Sequence, residues 1–171
     1  MLNKIIRITI ATALFAWSVY EFYLGHIGNG IFILFLMGIV IFTIYRHEMM
    51  LLAFWFVRKG NFKKAEKYLG YIKKPETSLV KGQVAYYYFL HGLINAQTNL
   101  KESEKYFKKA LKKGLRLDHD KALAKLQLAG MAMQRRRKRE ATMLLNEVKK
   151  LDKTKMLKEQ VDMMRQNLGK I

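Results

Sequence analysis

The chain has 171 residues, a net charge of +19 and no cysteine, so disulfides, thiolate metal sites and cysteine nucleophiles are excluded together. One proline and eleven glycines leave no low-complexity stretch that composition would mark as disordered. Three of the 32 basic and two of the 13 acidic residues precede Arg58, so Arg58 to Ile171 carries a net +18: an apolar head precedes a basic body.

The head, residues 1–45, reads as a transmembrane hairpin. Ile5 to Leu24 is predominantly apolar, with Arg7 and Glu21 bracketing thirteen uncharged residues and Trp17, Tyr20 and Tyr23 at the far end, where rings favour a membrane interface. Gly25, Gly28, Asn29 and Gly30 form a turn, and Ile31 to Tyr45 supplies a second, shorter apolar segment. Lys4 and Arg7 precede the first segment, the loop has no base, and Arg46, Arg58, Lys59, Lys63 and Lys64 follow the second. The positive-inside rule then predicts an inner (cytoplasmic) membrane protein with two spans and both termini in the cytoplasm. A cleaved leader ending near Ala16 and Ser18 is the rival, disfavoured by Trp17, Tyr20, Phe22 and Tyr23 around that site.

The body, residues 46–171, repeats itself. NFKKAEKYL, from Asn61 to Leu69, aligns with NLKESEKYF, from Asn99 to Phe107, at an offset of 38, and a further 38 reaches RKREATMLL, from Arg137 to Leu145. Small residues recur as Ala65, Ser103 and Ala141, and large apolar ones as Leu69, Phe107 and Leu145. Ile72, Ala110 and Val148 follow three further on; upstream, Leu52, Leu90 and Leu128 correspond, as do Trp55, Leu93 and Met131. The pattern predicts three antiparallel helix pairs over about 46–75, 78–113 and 118–152. Their first helices fall near Glu48–Val57, Ser78–Gln97 and Asp120–Gln134, and their second near Phe62–Lys73, Lys101–Lys113 and Lys138–Lys150. Gly60 and Gly114 suit turns with positive φ, Pro75 follows a helix end, and Asp118 or Asp120 caps the next start. Leu157, Val161, Met164 and Leu168 form one apolar stripe, predicting a capping helix over 154–168.

RKGNFKKAEKYLGYIKKP resembles the second half of a tetratricopeptide repeat, with Gly60, Phe62, Ala65, Leu69 and Pro75 at the family's spacing. The likeness covers about Arg46 to Asp152. The period exceeds the usual 34 by about one helical turn, and Lys138 stands where the third copy should carry an aromatic. The resemblance implies an all-α chain: the hairpin, an α-solenoid of about three helix pairs and the cap. It also implies a protein–protein adaptor rather than an enzyme. Chaperone-binding members carry a lysine and asparagine clamp in the groove of their first helices. Here that groove is expected from Met50, Phe54, Val57, Tyr88, Gly92, Leu126, Gly130 and Met133, and it is mostly apolar.

No catalytic constellation or cofactor motif accompanies the repeats. His26, His47, His91 and His119 are scattered without metal-ligand spacing, and Glu102 and Glu104 read as solvated helix positions beside lysines. No cofactor, metal or small-molecule substrate is expected. The densest charge is the run Arg135, Arg136, Arg137, Lys138 and Arg139, either a solvated turn or a contact for acidic lipid, acidic protein or ribosomal RNA. Met49 to Val57 is apolar all round, which suits membrane-interface or partner contact. The expected function is a membrane-anchored, non-catalytic scaffold that holds protein partners, as a subunit of a membrane complex. The alternative is a ribosome- or RNA-facing accessory of a membrane insertion or secretion machine.

Overall fold

The computed structural model describes residues 4–45 and 48–169, without the side chains of residues 4, 5, 7 and 43–45. Ten helices and no strand occur among the described residues. They are α1 (Lys4–Tyr23), α2 (Ile27–Tyr45), α3 (Glu48–Arg58), α4 (Phe62–Gly70), α5 (Pro75–Ser78), α6 (Lys81–Asn95), α7 (Leu100–Lys113), α8 (Asp118–Gln134), α9 (Lys138–Leu151) and α10 (Lys158–Gly169). They divide into two compact units, Met1–Leu51 and Leu52–Ile171.

In the first unit α1 and α2 pair closely because small groups meet. Ser18 is buried and its hydroxyl donates to the Gly30 carbonyl at 3.0 Å, and a Cβ on Gly30 would come within 2.8 Å of the Phe22 ring. Glu21 gathers the turn, accepting from Trp17 Nε1 at 3.2 Å and lying 3.1 Å from His26 Nδ1. The hairpin therefore forms, but its expected role as two membrane spans is not supported. Among the described residues no helix is long and apolar enough to cross a membrane. In α1 the uncharged run Ile8–Tyr20 extends about 20 Å, and in α2 the residues Ile31–Phe42, free of polar side chains, extend about 18 Å. Hydrocarbon is about 30 Å thick. The inner-membrane placement and cytoplasmic termini deduced from two spans lose their support as well. The side chains of Lys4 and Arg7 and the whole of Arg46, which set the orientation, lie outside the described residues, as does His47.

The second unit follows the 38-residue register. Ala65, Ser103 and Ala141 are fully buried, as are Leu69, Phe107 and Leu145 and then Ile72, Ala110 and Val148. These positions are two, six and nine residues after Lys63, Lys101 and Arg139, so they share one face of α7 and α9, and Ala65 and Leu69 take the same face of α4, with Ile72 just beyond its end. Asn61 and Asn99 cap their helices alike, each side chain accepting from the backbone N–H three residues on at 3.2 Å. α10 closes the stack, with Leu157 and Val161 packed on Ala122, Leu126, Ala129, Leu145 and Val148.

Four details differ from expectation. α4 stops at Gly70, and Pro75 opens the extra helix α5 because its fixed φ and missing N–H suit a first turn. Neither Asp118 nor Asp120 caps α8: Asp118 pairs with Lys121, and Asp120 accepts from the Tyr86 hydroxyl at 2.7 Å. On α3, Leu52 and Trp55 are exposed while their equivalents Leu90, Leu128 and Met131 are buried, since no earlier pair within this unit covers them. The cap begins at Lys158, preceded by a turn in which buried Asp152 accepts from the N–H groups of Met156 and Leu157 at 3.2 and 2.7 Å.

Candidate functional site

The eight residues expected to line an apolar groove do not share an open surface. Met50, in the first compact unit, is buried, Phe54 is exposed and Val57 is half-buried. Tyr88 is buried, its ring stacked on Tyr106 and its hydroxyl donating to Glu76 at 2.9 Å. Gly92 faces Phe107, whose ring lies 2.8 Å from where a Cβ would stand, and Ser103 donates to the Gly92 carbonyl at 2.7 Å. Leu126 belongs to the core beneath α9 and α10, Gly130 faces the methyl end of Met164, and Met133 packs on Ala132, Ala141 and Leu168. On α6 and α8 the residues expected in the groove lie on the face that packs on the second helices and the cap, where small and apolar residues serve close helix contact.

The basic run is placed differently. Arg135 to Arg139 forms the α8–α9 turn, where Arg136 adopts φ 56. The N–H of Arg136 bonds to Met133 O at 2.9 Å and that of Arg137 to Ala132 O at 2.8 Å, the same closure that Gly60 and Asn61 make with Val57 and Phe56. Arg135 and Arg137 reach across to Glu104 on α7, and Arg137 also pairs with Glu140 at 3.3 Å. Glu104 is thus not a solvated position. Its side chain is only 13% exposed, and a hydrogen bond from Lys108, reinforced by both arginines, holds its carboxyl below the usual carboxylate value. The repeat arithmetic could have found it, because Glu104 sits one residue after the invariantly small position and faces the next pair's turn.

Around Glu104 the outward side of α7 forms a concavity of about 460 Å³, lined by Lys101, Lys105, Lys108, Lys109, Lys112 and Arg135. Six cations and one carboxylate therefore share one surface. Such an excess is repulsive within the protein and attractive to a multivalent anion. A second concavity of about 560 Å³ lies where the α3–α4 turn meets the end of α6, with Lys59, Asn61, Lys63 and Glu66 opposite Asn95, Gln97 and Thr98.

Inside the second pair, His91 lies between Tyr87 and Tyr106, with ring centroids at 4.6 and 5.0 Å, and its buried Nε2 has no hydrogen-bond partner. Burial lowers its pKa. Tyr88 and Tyr86 are pushed up to about 12, by burial first and then by Glu76 and Asp120 respectively. Glu76, bonded by Lys113 at 2.6 Å as well as by Tyr88, is lowered and ties α5 to α6 and α7. Among the described residues no three His, Asp or Glu side chains converge as a metal site would require.

Comparison of the chain with protein-family models, with curated proteins and with solved structures gives no match in any of the three.

Proposed function

We propose that this chain is a non-catalytic docking scaffold of tetratricopeptide-like helix pairs. The first helices serve as the packed frame, and the outward faces of the second helices receive an anionic macromolecular partner. The observation that carries this reading is the α7 concavity, where five lysines and Arg135 surround the single carboxylate of Glu104. Ion pairing within the chain leaves most of that charge uncompensated, and long-range attraction speeds encounter with a polyanion. Retention on immobilised heparin tests it. Replacing Lys101, Lys105, Lys109 and Lys112 with glutamine lowers the eluting salt concentration well below that of the natural chain. Unchanged elution contradicts the proposal.

A second, protein–protein contact is favoured by the hairpin, where Phe32, Phe35, Ile31 and Ile27 stand largely exposed on α2 beside Phe15, Trp17 and Tyr20 on α1. Ile27, Ile31 and Phe35 recur at helical spacing on one face of α2, and an exposed apolar face of this kind marks an interaction site. Phe35→Asp releases a protein held there without changing the thermal unfolding of the body; retention of that protein contradicts the assignment.

A further inference from the structure

Lys63, Lys101 and Arg139 stand at the second position of α4, α7 and α9, each 38 residues from the next, and all three are exposed. None has an ion-pair partner among the described residues, in contrast to Lys108, Lys113 and Lys125. Each lies on the side of its helix opposite the buried positions two and six residues later. Eleven residues on, three turns later on the same face, come Lys112 on α7 and Lys150 on α9. Helix stability does not explain the first set, because a cation in the first turn opposes the helix dipole.

The elements bring these positions into one line. The contacts of Arg135 and Arg137 with Glu104 set the start of α9 beside the start of α7. Lys59 and Lys63 share the 560 Å³ concavity with Asn95 and Thr98, just before α7 begins. The cations therefore run along the turn edge of the repeat unit, from Lys59 and Lys63 through Lys101 to Arg136 and Arg139.

We propose that this edge binds the phosphate backbone of a nucleic acid duplex, laid across the starts of the three second helices. The inference rests on the reading that the outward cations are the working surface, and it names the partner. A protein partner would need an apolar, desolvated centre with aromatic anchors. The exposed apolar side chains on α7 and α9 are only Leu100 and Met143, and no ring on either helix is exposed. The same lack of rings leaves α7 and α9 without a stacking platform for unpaired bases, and Trp55, an exposed ring beside the edge, is covered by Lys59 at 3.9 Å. What remains is a ladder of point charges, suited to phosphates and indifferent to sequence.

The test is fluorescence anisotropy with the full chain, over a series of salt concentrations. The probes are a short RNA duplex, a DNA duplex of equal length, poly-glutamate of equal charge and phosphatidylserine vesicles. Nucleic acid binds more tightly than the other anions, and the RNA and DNA arms show which duplex is preferred. Replacing Lys63, Lys101 and Arg139 together with glutamine lowers the salt slope by about 2.7, three phosphate contacts at about 0.9 each. Replacing Lys153, Lys155 and Lys158 with glutamine removes equal charge away from the edge and leaves the slope unchanged. The swap Lys63→Arg, Lys101→Arg, Arg139→Lys keeps the slope and controls for folding. Equal loss in both glutamine variants overturns the edge assignment. Equal or tighter binding of poly-glutamate or vesicles overturns the nucleic acid and leaves the anionic-partner reading standing. If no polyanion binds, both readings fail.

Discussion

The second and third helix pairs share one register and are finished differently. In both, a small residue, a large apolar residue and a second small or apolar residue are buried on the second helix: Ser103, Phe107 and Ala110 in one, Ala141, Leu145 and Val148 in the other. Around that common core the second pair spends aromatic and polar side chains. Phe107 fills the space over Gly92, Ser103 bonds the Gly92 carbonyl, and His91 lies between Tyr87 and Tyr106. At the equivalent places the third pair has Leu145, Ala141, Ala129, Lys125 and Leu144, and it leans on α10 instead. Its helix start is also weaker, with no side-chain cap at Arg137 and with Arg136 in the left-handed region that Gly60 occupies in the first pair. Register is set by helix-to-helix packing; caps and turns can drift once a neighbour supplies the burial.

The largest effects test that core. Phe107→Ala costs about 3–5 kcal/mol and Leu145→Ala about 2–5 kcal/mol by denaturant unfolding, because each empties a fully buried position. A cost below about 0.5 kcal/mol at either would break the shared register.

The glycines should differ in sign. Gly92→Ala forces a Cβ to within 2.8 Å of the Phe107 ring and costs about 1–3 kcal/mol. Gly130→Ala meets only the flexible end of Met164 at 3.4 Å and gains up to about 1 kcal/mol from helix propensity. Equal effects in thermal unfolding would mean that the two pairs pack alike.

Caps and turns come next. Asn99→Ala costs about 1 kcal/mol through the lost bond to Glu102 N, whereas Arg137→Asn, which installs the missing cap, gains a similar amount. Arg136→Gly gains about 1 kcal/mol by relieving the positive φ. A loss on either substitution in the third pair would show that its turn is held by contacts other than these.

The smallest effect is one of pH. Burial among Tyr87 and Tyr106 depresses the folded-state pKa of His91, so the neutral ring's contribution is complete above the unfolded value of about 6.5. It is lost as pH falls from there through the folded value. His91→Gln removes this acid-side loss, while the third pair, with Ala129 at that place, has no counterpart. Unfolding curves of the two proteins that stay parallel below pH 6.5 would contradict the assignment.

Much of this was legible in the sequence. The offset of 38 located every buried position of the second helices, because burial repeats with the backbone; the side-chain caps, expected at Asp118 or Asp120, stand instead at Asn61 and Asn99 on α4 and α7. The membrane reading of the hairpin is overturned, since apolar composition alone does not make a span: Arg7 and Glu21 bound the apolar run of α1, and Gly28, Asn29 and Gly30, expected in the turn, instead occupy the first turn of α2 and shorten its run. The groove residues on α6 and α8 pack inward instead, because apolar residues fall on several faces of both helices and only packing decides which face closes. Glu104 reads as solvated from its helical neighbours alone, because its Arg135 partner is 31 residues away, and Glu76 gives no signal because Lys113 is 37 residues away.

The central claim is that three second helices share one register and so carry their cations along one edge. The absence of cysteine allows spin labels to be placed cleanly as pairs, Lys63→Cys with Lys101→Cys and Lys101→Cys with Arg139→Cys. Pulsed dipolar spectroscopy then measures successive steps along the edge. Two narrow distance distributions that overlap within the width of the labels are expected. Clearly separated means, or a broad distribution for either pair, would contradict the shared register.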